Sequence, residues 1–193
     1  MSEKKKTGKG DHQWSIDFLI EEFNKESDRA AVILVASLLD ESLTSLLRSF
    51  FVPDASSSDE LFDGVNAPIG TFSSKINIAY RLGLISNIFC RDLHLIRKIR
   101  NQFAHNVFGC SFENGSVMSR IDDLRKSAVG AVFEDRSNDI PEGHKGDFLS
   151  ITSYMLFELN ESREEKENLT ERGKEFFYKK EKEKKEETSA NKN

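Results

Sequence analysis

Two cysteines, three prolines and one tryptophan are all that this 193-residue chain holds of those types, and each scarcity excludes something. Cys90 and Cys110 form no C-x-x-C pair, so they supply neither a disulfide framework nor a zinc site, and they read as buried or idle thiols in a reducing cytosol. With three prolines and few alternating Val/Thr stretches, little punctuates the chain, which tilts the fold toward helix. Apolar residues are also in short supply, at 37% against 32% charged, so part of the chain must be solvated extension. No run resembles a signal peptide and no segment approaches the roughly 20 apolar residues of a bilayer span, so a cytoplasmic protein with no membrane partner is expected. A net charge of −5 argues against a general nucleic-acid coat, because phosphate binding needs a cationic face that releases counterions. The four histidines, His12, His94, His105 and His144, are not at ligand spacing with suitable acids, so neither metal nor cofactor is expected.

What is present is a succession of helical patterns. Residues 1–11 read as a disordered lead, and a first helix is predicted over 13–24 with Trp14, Ile16, Phe18, Ile20 and Phe23 inward. Ser27 or Asp28 caps the next helix, R-A-A-V-I-L-V-A-S-L-L-D-E-S-L-T-S-L-L-R-S-F-F, which is apolar nearly all round from Ala30 to Leu39 and therefore predicted to be enclosed by others. Pro53 ends it. Gly64, Pro68 and Gly70 mark turns before a short helix capped by Thr71 or Ser73, with Ile76, Ala79, Tyr80 and Leu82 apolar and Gly83 as its left-handed C-terminal cap. The glycine-containing loop ahead of it lacks both the P-loop and the dinucleotide spacing, so it reads as structural.

After Ser86 comes the stretch that carries the chemistry. In L-H-L-I-R-K-I-R-N-Q-F-A-H, Leu93, Ile96, Ile99 and Phe103 recur at helical spacing, which buries one face. Arg97, Asn101 and His105 are four apart and form a polar stripe. Arg100 precedes His105 by five, about 140° around the helix, so within one chain the two cannot easily grip one small group, although across a two-fold homodimer contact they could. Asp40 and Glu41 interrupt the apolar second helix. They either emerge into solvent or neutralise Arg97, Arg100 or Arg81, because a buried carboxylate needs a cation or a hydrogen-bond donor. A further helix spans 117–129 with Ile121, Leu124 and Ala128 inward. Gly130 to Gly146 reads as an irregular connector with His144 exposed. Asp147 caps a last helix, apolar in its first half and charged in its second. The prediction is an all-α, compact multi-helix bundle over 12–160, with a charged helix and unfolded tail over 161–193.

Three of these stretches together resemble the mannitol operon repressor family: the R-A-A-V-I-L-V-A-S-L-L-D-E-S-L helix, L-F-D-G-V-N-A-P-I-G-T-F-S-S-K-I-N-I-A-Y-R-L-G-L-I-S, and I-R-K-I-R-N-Q-F-A-H. The resemblance covers about residues 20–160. It implies a multi-helical transcriptional regulator of mannitol uptake and use, without a recognisable DNA-binding motif, acting through a protein partner such as another transcription factor and not as an enzyme. The sequence agrees, since no helix-turn-helix with a basic recognition helix is visible. Within the same segment Arg100-Asn101-Gln102-Phe103-Ala104-His105 is similar to the R-x4-6-H motif of HEPN domains, several of which are metal-independent ribonucleases. That second resemblance implies an RNA-cleaving or RNA-binding dimer, with Arg100 on phosphate, His105 as acid or base, and Asn101 orienting one of them.

Overall fold

The computed structural model describes residues 16–54, 59–106, 109–128, 142–165 and 169–170. Among the described residues there are six helices and no strands: α1 (Ile16–Asn24), α2 (Asp28–Phe50), α3 (Phe72–Arg81), α4 (Asn87–His105), α5 (Gly115–Ser127) and α6 (Gly143–Glu165). The all-α class predicted from the pattern is what the backbone adopts. The expected lead over 1–11, Trp14, Val129 and most of the 161–193 extension lie outside the described residues.

Each boundary has a local cause. Ser27 accepts from Ala30 N at 3.2 Å to open α2, and Ser86 accepts from Phe89 N at 3.1 Å to open α4. Thr71 and Ser74 cap α3 reciprocally, side chain to backbone, at 3.1 Å in both directions. Gly83, at φ 72°, ends α3 in the left-handed region, and the Leu84 N–H reaches back to Ala79 O at 2.9 Å while Gly83 N–H reaches Tyr80 O.

Neighbours in sequence are neighbours in space: each helix packs on the next, α6 closes back onto α1, and α2 runs through the middle against α1, α3, α4 and α6. Leu93, Ile96, Ile99 and Phe103 of α4 are completely buried, as their spacing requires, and each contributes about 1.5–3 kcal/mol of burial. They meet Val32, Val35, Leu39 and Leu43 of α2 in one core cluster. Phe103, Phe112 and Phe148 join α4, the α4–α5 connection and α6 in a tilted aromatic row with centroids 5.6 and 5.4 Å apart.

Several expectations are corrected. α2 is not enclosed all round, because Leu34 and Leu38 are exposed and lie with Phe18, also exposed, along a groove between α1 and α2. Tyr80 and Leu82 are exposed as well. α2, at 23 residues, does reach the length and apolarity of a bilayer-spanning helix, contrary to the expectation that no segment approaches it; half of that stretch is buried inside the bundle. α6 opens at Gly143, not at Asp147, so Gly146 and Asp147 are buried within the helix, with Asp147 Oδ2 3.2 Å from Arg125 Nη1. His144 is mostly covered, its Nε2 3.5 Å from Asp122 Oδ1.

Candidate functional site

Because α4 buries the stripe 93, 96, 99, 103, geometry forces its intervening residues outward, and three of them border one cleft. Arg97, Arg100 and Asn101 line one side. Ala36 and Ser37, with Asp40 one turn further along α2, line the other, and Phe72 at the start of α3 completes it. The volume is about 250 Å³.

The charges in this cleft are arranged differently from the expected pairing. Asp40 does lie opposite the arginines, but its partner is Lys75 of α3, with Nζ 2.8 Å from Oδ1. The approach is close enough for an ion pair yet lies off the directions a hydrogen bond needs, so Oδ1 is buried without a hydrogen-bond donor. Glu41 faces solvent, and Arg81 is exposed at the end of α3, so neither joins the cluster. Arg97 is half-buried, and its Nε is buried with no hydrogen-bond partner. Arg100 is exposed and donates from Nη1 to Asn101 Oδ1 at 3.1 Å. Among the described residues no carboxylate forms an ion pair with either guanidinium. Lys75 and Asp40 offset each other, which leaves the cleft with two uncompensated positive charges.

His105, the last residue of α4, is exposed and does not line the cleft that Arg100 and Asn101 share. The separation expected from their spacing is therefore present within this chain. His94, one turn before Lys98 on the same helix, holds Asn77 Oδ1 at 3.1 Å through Nε2, while its Nδ1 is buried without a partner. Burial, helped by the charges of Arg97 and Lys98, pushes its pKa below the ordinary histidine value. No three His, Cys, Asp or Glu side chains among the described residues come together as a metal site.

Some polar residues that organise the molecule escaped the sequence reading. Lys75 shares a helix face with Phe72, Ile76 and Ala79, and a lysine on an apolar stripe is itself the signal of a buried counter-ion. Asp92 is buried in α4, held by Arg91 at 2.7 Å and by the Ser127 hydroxyl at 2.6 Å. Arg29 of α2 donates to the Phe103 and Asn106 carbonyls at the end of α4, filling acceptors that a helix terminus leaves open.

The fold and this cleft define a class: a helical bundle that carries a cationic cleft and, among the described residues, no assembled metal site. Comparison with known proteins adds one likeness. A chain of the X-ray structure of the MtlR–HPr complex from Escherichia coli superposes with a TM-score of 0.50, over 77% of this chain and 96% of its own length, at 19% sequence identity. The protein thus has a mannitol repressor-like fold; at that identity the likeness is one of fold. It does not bear on the HEPN resemblance of the Arg100–His105 segment. No family model and no curated protein matches the chain.

Proposed function

We propose that this protein is a cytoplasmic, non-enzymatic regulator of the mannitol repressor kind, which controls carbohydrate-uptake genes by binding a protein partner and not by reading DNA itself. The observation that supports this reading is the likeness to a chain solved in complex with HPr, which extends over nearly the whole of that chain. HPr, or a protein of that kind, is accordingly the first partner to try. The charge distribution points the same way: net charge is −5, and a duplex would be repelled by the molecule as a whole.

The test is calorimetric titration of the full chain with HPr from its own organism, alongside transcript measurement in a deletion strain. Saturable complex formation and raised transcription of carbohydrate-uptake genes on deletion are expected. Absence of both would overturn the reading. The ribonuclease reading has its own test, incubation with unstructured RNA in chelator. Intact RNA is expected, and cleavage abolished by His105→Ala would replace the regulator with an enzyme.

A further inference from the structure

We propose that the cleft between α2 and α4 is a binding site for a small phosphorylated sugar or polyol. Arg97 and Arg100 stand three residues apart, so their guanidinium groups are neighbours on one helix face. Like charges held side by side repel unless an anion sits between them, and no described carboxylate pairs with either. The buried Nε of Arg97 is a donor still without an acceptor. A planar guanidinium fork matches the oxygens of phosphate or carboxylate, and a phosphate monoester at neutral pH carries about −1.5 to −2, which balances two arginines where a single carboxylate would not.

The rest of the cleft specifies what the phosphate is attached to. Asp40 offers carboxylate acceptors on the opposite side. The Ser37 hydroxyl donates its hydrogen to Ile33 O at 2.9 Å, so its oxygen faces a ligand as an acceptor. Asn101 has its carbonyl oxygen engaged by Arg100, which leaves its amide N–H groups to donate. Two acceptors and a donor suit hydroxyl groups. With the Asp40 charge already offset by Lys75, only two arginine charges remain to be balanced, so a monophosphate with a neutral, hydroxylated body fits better than a diphosphate. Phe72 supplies an apolar surface for carbon-bound hydrogens. At about 250 Å³ the cleft falls below the roughly 300–1,000 Å³ of sites for drug-sized ligands, which favours one sugar unit over a dinucleotide.

The site stands independently of the partner reading: failure to bind HPr leaves it untouched, and its own failure leaves that reading intact. Titration calorimetry of the full chain with glucose 6-phosphate, sorbitol 6-phosphate and ribose 5-phosphate, beside glucose, inorganic phosphate and a ten-nucleotide uridine oligomer, tests it. At least one sugar phosphate is expected to bind about tenfold or more tighter than inorganic phosphate, and glucose not at all. Arg100→Met, at an exposed position that leaves folding intact, should weaken that binding at least tenfold. Arg97→Lys, which keeps the charge and loses the fork, should weaken it less than Arg97→Met. Circular dichroism confirms that each variant folds. No binding by any sugar phosphate, equal binding of inorganic phosphate, tighter binding of the oligomer, or indifference to Arg100→Met would each overturn the proposal.

Discussion

Replacing Asp40 by Ala removes one half of an ion pair whose other half has nowhere to go. The side chain of Lys75 is only 10% exposed, whereas that of Asp40 is 34% exposed, so the two partners do not suffer equally when left alone. At 2.8 Å, two unit charges attract by about 6 kcal/mol at an effective dielectric of 20 and about 1.5 kcal/mol at that of water, and this half-wet pair falls between. Breaking a fully buried pair typically costs about 3–5 kcal/mol because a charge is stranded. With Asp40 one-third in water, the expected cost of Asp40→Ala is trimmed to about 2–3 kcal/mol. Lys75→Met keeps the length of the stem that packs beside Ile76 and strands only the wetter carboxylate, so about 1 kcal/mol or less is expected. For a chain of this size these become losses of about 4–12 °C and no more than about 4 °C in Tm. The double variant should be more stable than the sum of the two single losses implies, with a coupling of about 1–2 kcal/mol. Thermal melts of the four proteins in 0.15 M and 0.5 M salt supply the cycle, and the coupling should survive the higher salt because the pair is largely shielded. Equal losses for the two single variants, or strict additivity, would mean that Lys75 is solvated and that the pair stabilises nothing.

Three more outcomes follow from particular atoms. Thr71→Ala removes the hydroxyl that accepts from Ser74 N while leaving the backbone N–H of residue 71 on Ser74 Oγ, and should cost about 1 kcal/mol, read as a fall of about 2–4 °C in Tm; an unchanged melt would deny the side-chain cap its role. His94 has a depressed folded-state pKa, so the unfolded chain takes up its proton first as pH falls; the associated stability is fully present above the ordinary histidine value and is lost on going down through it toward the folded value. Wild type should therefore lose more Tm between pH 7.5 and pH 5.5 than His94→Gln does, and identical slopes would contradict the burial of that ring. Burial raises the pKa of the Cys90 and Cys110 thiols, so native protein at pH 7.5 should react slowly with iodoacetamide and rapidly once denatured, as mass spectrometry can follow.

Much of the fold was legible because helical periodicity reports a residue's own face. The stripe 93, 96, 99, 103 could only be a buried face, and Ser27, Thr71, Gly83 and Ser86 end or begin helices for reasons confined to a few residues. Periodicity is silent on what a face meets. Leu34 and Leu38 sit in a run that looks enclosed, yet they lie exposed along the groove between α1 and α2. The start of α6 was misread because Gly143 and Gly146 are weak helix formers, and the packing of α6 on α1, α2 and α5 overrides that local preference.

The cleft was half legible for a different reason. Asp40, interrupting an apolar helix, had to meet either solvent or a cation, and the spacing grouped Arg97 and Asn101 on one stripe of α4, but it put His105 there too and did not join Arg100 to them. Which cation Asp40 takes depends on where α3 crosses α2, a tertiary fact with no local signature. The nearest hint was the lysine on the apolar face of α3. Once Lys75 has taken Asp40, both arginines lose the acid that would have neutralised them internally, and the expected structural knot becomes a cleft with unspent charge. Whether those guanidinium groups are structural or functional thus turns on one lysine. A Lys75→Met chain in which Asp40 is free to pair with Arg97 should bind phosphate-bearing ligands less well than wild type, although Lys75 does not itself line the cleft. Unchanged affinity in that variant would show that Lys75 is not what keeps Asp40 from neutralising the arginines.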